Sequence, residues 1–140
     1  PETTVAGTEA GQVLVLSSSC GGLEVSSQWE KAGAVSGVGA SPANDGTFAV
    51  VRDSGALTVA STGAADPVVE ITVDKCQTTA VAFLTFAELV TANAVGQIKY
   101  WDLRLMGGSD RPVSVFAVAA DRFTSPLCLA PHPSISHILA

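Results

Sequence analysis

The chain has 140 residues, of which 47% are hydrophobic and 14% charged, and its formal net charge is −6. This is enough apolar sequence for the packed core of one ordinary domain. Its 7 Lys and Arg residues form no cluster that could follow a phosphate backbone, so we expect no direct nucleic-acid binding. No apolar run approaches the roughly 18 residues of a spanning helix, so we expect no membrane insertion.

Three segments share one pattern, in which an apolar strand is followed by a tight turn ending in glycine and by a strand of alternating polarity. They cover residues 5–18, 50–62 and 90–103, and their turn glycines are Gly11, Gly55 and Gly96. These glycines lie 44 and 41 residues apart. A period of about 40 to 45 residues, with one four-stranded unit per period, is typical of β-propeller blades. The sequence therefore predicts an all-β fold.

The turn residues also favour hairpins at these positions. A two-residue hairpin turn needs a positive φ, which glycine adopts without a steric clash. Glu9 and Asp53 lie two residues before their glycines, where a short carboxylate can accept hydrogen bonds from turn amides. The third copy has Ala94 at this position, with Asn93 beside it, and so lacks the acid. We expect Asp53 and the three glycines to be structural residues of the repeat.

The other strands of each unit follow from the same register. Innermost strands, with the small residues that a crowded axis requires, are predicted at residues 34–38, 79–84 and 126–130. Outermost strands are predicted at residues 23–29, 67–73 and 112–118. Two of these begin with proline, which suits an edge strand because proline donates no ladder hydrogen bond. Residues 80–92 also fit a helical face, but the repeat register favours strand, turn and strand.

The strand count predicts about three blades. They comprise a part blade at 1–33, blades at 34–75 and 76–121, and a second part blade at 122–140. Propellers close with about four to eight blades. We therefore expect this chain to be a partial β-propeller, a fragment of a larger ring.

The pair Trp101-Asp102 closes the third strand of its unit, five and six residues after Gly96. The equivalent pairs of the other copies are Leu-Ser at 16–17 and Ala-Ser at 60–61. The Trp-Asp pair resembles the signature of the WD-repeat propeller family. In that family the tryptophan packs between blades and the aspartate caps the turn to the next strand. The resemblance implies structural roles for Trp101 and Asp102. Because seven blades are commonest in this family, it also implies that the chain is a fragment of a seven-bladed ring.

Two longer runs carry a more specific resemblance, TAVAFLTFAELVTANAVGQIKYWDLR at 79–104 and DRFTSPLCLAPHP at 121–133, with a fainter match at the Gln-Trp pair 28–29. They are similar to WD-repeat nucleoporins of the Y-shaped outer-ring complex of the nuclear pore. The resemblance implies a scaffold that binds other outer-ring nucleoporins and supports nucleocytoplasmic transport at the nuclear envelope. It implies no enzymatic activity, no cofactor and no small-molecule substrate.

Arg104 supports an alternative from another class. The run from Trp101 to Arg104 has the form Trp-Asp-x-Arg. It resembles a box found in WD-repeat substrate receptors of cullin-4 ubiquitin ligases, where the arginine faces the ligase adaptor. Under that alternative Arg104 is a partner-binding residue. Otherwise we expect it to meet solvent or a neighbouring carboxylate.

The residues that could support enzymatic chemistry do not occur in the patterns typical of an active site. Cys20, Cys76 and Cys128 are widely spaced, which fits reduced thiols buried as small hydrophobes. His132 and His137 belong to a run that is typical of a proline turn entering a strand, and no carboxylate follows them at ligand spacing. The serines at 17–19 lack a nucleophile elbow, and the glycine-rich run 37–46 lacks the lysine of a phosphate loop. We therefore predict no catalytic, cofactor or metal site.

Overall fold

The computed structural model describes residues 2–43, 45–107, 110–117, 128–132 and 134. All regular secondary structure in these residues is β-strand, which confirms the predicted all-β class. The strands are β1 (Thr3–Gly7), β2 (Gln12–Ser19), β3 (Gly22–Glu30), β4 (Val35–Ala40), β5 (Thr47–Arg52), β6 (Ala56–Ser61), β7 (Val69–Thr72), β8 (Thr78–Phe83), β9 (Glu88–Asn93), β10 (Gln97–Asp102) and β11 (Ser114–Ala117).

These strands form three antiparallel meanders, each a sheet of sequential strands. The first sheet is β1-β2-β3, the second β4-β5-β6-β7 and the third β8-β9-β10-β11. The predicted inner strands at 34–38 and 79–84 correspond to β4 and β8, at one edge of their sheets, and the predicted outer strands to β3, β7 and β11 at the other. The inner strand predicted at 126–130 lies partly outside the described residues, as does most of 122–140.

Residues 80–92 form strand, turn and strand, as the repeat register predicts. The amides of Leu84 and Thr85 both donate to the carbonyl of Glu88, at 2.8 and 3.2 Å, and these bonds close the turn between β8 and β9. Of the four apolar residues that also fit a helical face, Phe83 and Val90 lie in the paired strands β8 and β9, whereas Phe86 and Ala87 lie in the turn between them. The helical alternative is therefore wrong.

The second sheet is buried on both faces because it lies between the other two. One face presents Phe48 and Val50, which belong to a core cluster with residues of the first sheet. The opposite face presents Ala49 and Val51, which belong to a cluster with residues of the third sheet. Successive residues of β5 point to opposite faces, so its apolar residues run continuously instead of alternating with polar ones.

The inner edges of the second and third sheets approach closely, as the small residues of β4 predict. A Cβ atom at Gly37 would lie 3.3 Å from the Cα of Ala80. One at Gly39 would lie 3.1 Å from the carbonyl oxygen of Val81. The glycines of β4 therefore let it pass beside the backbone of β8.

The sheets have two different ends, which we name the turn end and the loop end. The turn end carries the hairpins that contain Gly11, Gly55 and Gly96, and the links at residues 31–34 and 73–77 that join one sheet to the next. The loop end carries the connections from β4 to β5 and from β8 to β9, and the longer connections from β6 to β7 and from β10 to β11.

Candidate functional site

The three turn glycines all have a positive φ, of 86° at Gly11, 82° at Gly55 and 81° at Gly96. Each glycine amide donates to the carbonyl three residues earlier, at 3.1, 3.0 and 3.1 Å respectively. The glycine is therefore the fourth residue of its turn. This corrects the expected two-residue hairpin turn: two central residues precede a left-handed glycine, as in longer hairpin loops.

Gly11 and Gly55 also lie against the link that leaves their own sheet. A Cβ at Gly11 would lie 2.0 Å from the carbonyl oxygen of Lys31, and one at Gly55 would lie 2.1 Å from that of Asp74. The link bonds back to each turn: the Lys31 amide donates to the Gly11 carbonyl at 3.2 Å, and the Val73 amide to the Gly55 carbonyl at 2.9 Å. These turns need glycine for space as well as for φ.

The two acidic residues that were expected to cap their turns, Glu9 and Asp53, do not cap them. Among the described residues, no turn amide donates to the carboxylate of Glu9 or Asp53. A Cβ at Gly33 would lie 2.8 Å from Oδ1 of Asp53, so this carboxylate lies beside the link and not over its own turn. In the first turn the cap is Thr8, whose Oγ1 accepts from the amide of Gln12 at 3.1 Å.

Asn93 caps the third turn and is 1% exposed. Its Oδ1 accepts from the amides of Val95 and Gln97, at 3.2 and 2.9 Å. Its Nδ2 donates to Oδ1 of Asp74 at 3.0 Å, and the same oxygen accepts from Nζ of Lys99 at 2.6 Å. This buried network joins the link at 73–77 to the third sheet. Sequence reasoning missed it.

One weak signal could have pointed to these residues. The position three residues before the turn glycine is polar in all three copies, as Thr8, Arg52 and Asn93. Arg52 is 2% exposed, its Nη1 donates to the carbonyl of Gly11 at 3.2 Å, and it approaches that of Gly33 at 3.5 Å. Burial lowers the pKa of the Arg52 guanidinium, and the carboxylates of Glu70 and Asp53 oppose this shift. Arg52 therefore ties the second sheet to the first turn.

Trp101 is 1% exposed and belongs to the core cluster between the second and third sheets. Its Nε1 donates to Oγ1 of Thr91 at 2.9 Å, within the buried interior. The neighbouring Tyr100 donates from its hydroxyl to Oε1 of Glu88 at 2.6 Å. This hydrogen bond to a carboxylate, with burial, raises the pKa of Tyr100 to about 12.

Asp102 and Arg104 form a corner at the loop end of the third sheet. Oδ1 of Asp102 accepts from the Arg104 amide at 3.0 Å and from its Nε at 2.8 Å, while Oδ2 accepts from Nη2 at 2.6 Å. The paired guanidinium lowers the pKa of Asp102. The Arg104 side chain is 64% exposed. Asp102 thus bonds the turn that follows its strand, and Arg104 faces solvent with a carboxylate already on one edge.

Exposed apolar side chains lie at the same end of the third sheet. The Leu103 amide donates to the carbonyl of Ala87 at 2.8 Å, which holds the loop after β10 against the turn before β9. Phe86 in that turn and Leu105 in that loop are 66% and 59% exposed. This end of the sheet therefore presents apolar side chains around a charged pair, which is typical of protein-binding surfaces.

The other groups with potential metal or thiol chemistry are cysteines, histidines and carboxylates. Within the described ranges, no group of three or more His, Cys, Asp and Glu side chains could hold a metal ion. Cys20 and Cys128 are free and exposed, which corrects the expectation of buried thiols; Cys20 lies at the turn between β2 and β3, where no core covers it. Nδ1 of His132 accepts from the Ser134 amide at 3.1 Å, whereas His137 lies outside the described residues.

The described part of the chain contains no helix of the length and apolarity needed to cross a membrane.

No protein-family model matches the chain. Over 62 residues it is 40% identical to Nucleoporin Nup43 of Mus musculus and 39% identical to Nucleoporin Nup43 of Homo sapiens. Each match covers 44% of this chain and 15% of the relative. A chain in the crystal structure of the mitotic checkpoint complex has the same fold, with a TM-score of 0.79 at 15% identity, over 98% of this chain and 39% of that one.

The chain is therefore similar in sequence to Nucleoporin Nup43, and its fold is part of a WD-repeat β-propeller. These comparisons confirm the predicted WD-repeat propeller fold and the predicted resemblance to a nucleoporin. The matched region spans only a small part of the length of the curated relatives.

Proposed function

We propose that this chain is part of a nucleoporin propeller that holds other proteins in the outer ring of the nuclear pore. The observation that carries the proposal is the 40% identity to Nucleoporin Nup43 of Mus musculus over 62 residues. In this proposal the protein acts at the nuclear pore complex, binds other outer-ring nucleoporins and supports nucleocytoplasmic transport. It is a scaffold and catalyses no reaction.

The construction of the fold supports a scaffolding role. Apolar cores between the sheets and main-chain hydrogen bonds at the turn end hold the strands as one framework. A rigid framework of this kind presents its loops in fixed positions, and loops carry binding specificity. The exposed Phe86 and Leu105 at the loop end give such a surface an apolar component.

The alternative is a substrate receptor of a cullin-4 ubiquitin ligase, with Arg104 as the contact to the adaptor. The 64% exposure of the Arg104 side chain is compatible with this role. Its Nε and Nη2 are already bonded to Asp102, so an adaptor would meet a guanidinium whose charge is balanced.

Affinity purification from cells separates the two proposals. The tagged protein would be purified as wild type, as Arg104→Ala and as Arg111→Ala, a control that removes another exposed arginine from the same loop. We expect outer-ring nucleoporins to co-purify equally with all three. Recovery of a cullin adaptor with the wild type and the control, its loss with Arg104→Ala, and no nucleoporins in any sample would overturn the scaffold proposal.

A further inference from the structure

A cavity of about 20 Å³ lies between the first and second sheets. Val13 and Trp29 line it from the first sheet, and Phe48 and Ala60 line it from the second. Polar residues complete the wall, namely Lys31, Arg52 and Thr58. The cavity thus combines an apolar surround with a few converging polar groups.

Ala60 explains why space remains there. It lies five residues after Gly55, the strand position that Trp101 occupies after Gly96. The indole of Trp101 fills the space between the second and third sheets, whereas the methyl group of Ala60 fills less of the corresponding space between the first and second. The ring of Trp29 occupies part of it, with its centroid 5.5 Å from that of Phe48.

Two polar atoms around this cavity lack a protein partner. Nε of Arg52 and Oγ1 of Thr58 are buried and make no hydrogen bond to any described residue. Arg52 is 2% exposed and Thr58 is 9% exposed. Thr58 pairs with Val50 across β5 and β6, and Arg52 lies two residues after Val50, so both side chains project from the same face of the sheet. Buried polar atoms in native proteins almost always have a partner.

We propose that this cavity binds one structural water, which accepts a hydrogen bond from Nε of Arg52 and shares another with the hydroxyl of Thr58. The size of the cavity selects this ligand. A single water needs roughly 10–15 Å³ and two or more polar partners. A small-molecule ligand needs about 300 Å³ or more. The cavity therefore fits one water and excludes an organic ligand.

The surrounding charges favour a neutral ligand over an anion. Lys31 is paired with the carboxylate of Glu70. Arg52 lies in the field of two carboxylates, those of Glu70 and Asp53. Two cations are thus balanced by two anions around the cavity. An anion would gain no net attraction there, whereas a water satisfies both buried atoms without adding charge.

High-resolution crystal structures of the wild-type protein and two variants test the water. In the wild type we expect one density peak within about 2.7–3.2 Å of both Arg52 Nε and Thr58 Oγ1. Thr58→Val removes one partner and should abolish this peak. Thr78→Val is the matched control, because it also removes a buried unpaired hydroxyl but does not line the cavity. The peak should persist in that control.

Three results would overturn the proposal. The first is wild-type density that shows no peak near both atoms. The second is a peak that Thr58→Val leaves unchanged. The third is an anomalous signal at the site in crystals soaked in bromide, which would identify an anion site instead. The wild-type structure alone can give the first or third result, so the test does not depend on the stability of a variant.

Discussion

The replacement Gly55→Ala tests whether the link at 73–77 is held by its close approach to the turn. Gly55 has a φ of 82°, and an added Cβ would lie 2.1 Å from the Asp74 carbonyl oxygen and 2.9 Å from that of Cys76. The left-handed conformation costs a non-glycine residue about 1–2 kcal/mol. Overpacking against backbone atoms, which cannot rotate away, adds about 1–3 kcal/mol. We therefore expect a loss of roughly 2–5 kcal/mol in the free energy of unfolding.

Urea unfolding of matched variants separates the two contributions. Gly46 has a similar φ of 77°, but its added Cβ would meet only side-chain atoms, at 2.4 Å from Oγ1 of Thr62 and 3.8 Å from Oγ of Ser61. Because the Thr62 side chain can rotate away, Gly46→Ala should lose only the conformational part, about 1–2 kcal/mol. Gly63 lies outside the left-handed region with no heavy atom within 4 Å of an added Cβ, so Gly63→Ala should change little.

The prediction is tested by comparing the losses in the free energy of unfolding of Gly55→Ala and Gly46→Ala. If Gly55→Ala is no more destabilising than Gly46→Ala, the close packing of the link against the turn does not contribute to stability, and the prediction is wrong. A native domain is stable by only about 5–15 kcal/mol, so the expected loss is a large and measurable fraction.

Three further measurements follow from the buried contacts. Trp101→Phe should lower the free energy of unfolding by roughly 2–4 kcal/mol, because it leaves a cavity and an unpaired buried hydroxyl. Lys99→Met should cost about 3 kcal/mol in the same denaturation assay, because it leaves the Asp74 carboxylate, 7% exposed, without its cation. Ultraviolet titration should show the single tyrosine, Tyr100, ionising near pH 12. An unfolded tyrosine ionises near pH 10, so the free energy of unfolding should fall between these two pH values.

Each of these three predictions has a matched control variant. Trp29→Phe removes an indole from a half-buried site and should cost less than Trp101→Phe; the reverse order would contradict the packing argument. Lys31→Met breaks an ion pair with the exposed Glu70 and should cost below about 1 kcal/mol. A loss equal to that of Lys99→Met would refute the role of burial. Glu88→Leu removes the acceptor of the hydrogen bond and should return the tyrosine titration toward pH 10, and an unchanged curve would exclude the contact with Glu88 as the cause.

Repetition made the strand pattern predictable. The turn glycines recur with one period, so one register placed β5 and β6 and then β9 and β10 without reference to tertiary contacts. The same register resolved residues 80–92 as two strands, although their local pattern also suited a helix. The repeat supplied what the local pattern of a single segment lacked, and within each strand the alternation of side chains then followed from backbone geometry.

Contacts between distant segments were not predictable in the same way. Asn93 and Lys99 bond to Asp74 from 19 and 25 residues away, and only the path of the link brings these groups together. Arg52 ends an apolar strand and would ordinarily be assigned to the surface. It is buried because the carbonyl of Gly11, which lies 41 residues away, accepts its hydrogen bond. The second requirement for glycine in these turns, space for the link, is likewise invisible in sequence.

The difference between the two ends has a consequence for how the chain can vary in length. At the turn end, an added residue in 31–34 or 73–77 would displace the amides that donate to the Gly11 and Gly55 carbonyls. The following sheet would then be shifted relative to the sheet before it. At the loop end, the connection from β6 to β7 and that from β10 to β11 already differ in length, yet each joins a pair of antiparallel neighbouring strands. Peptide tags or foreign epitopes should therefore be accepted there and rejected at the links.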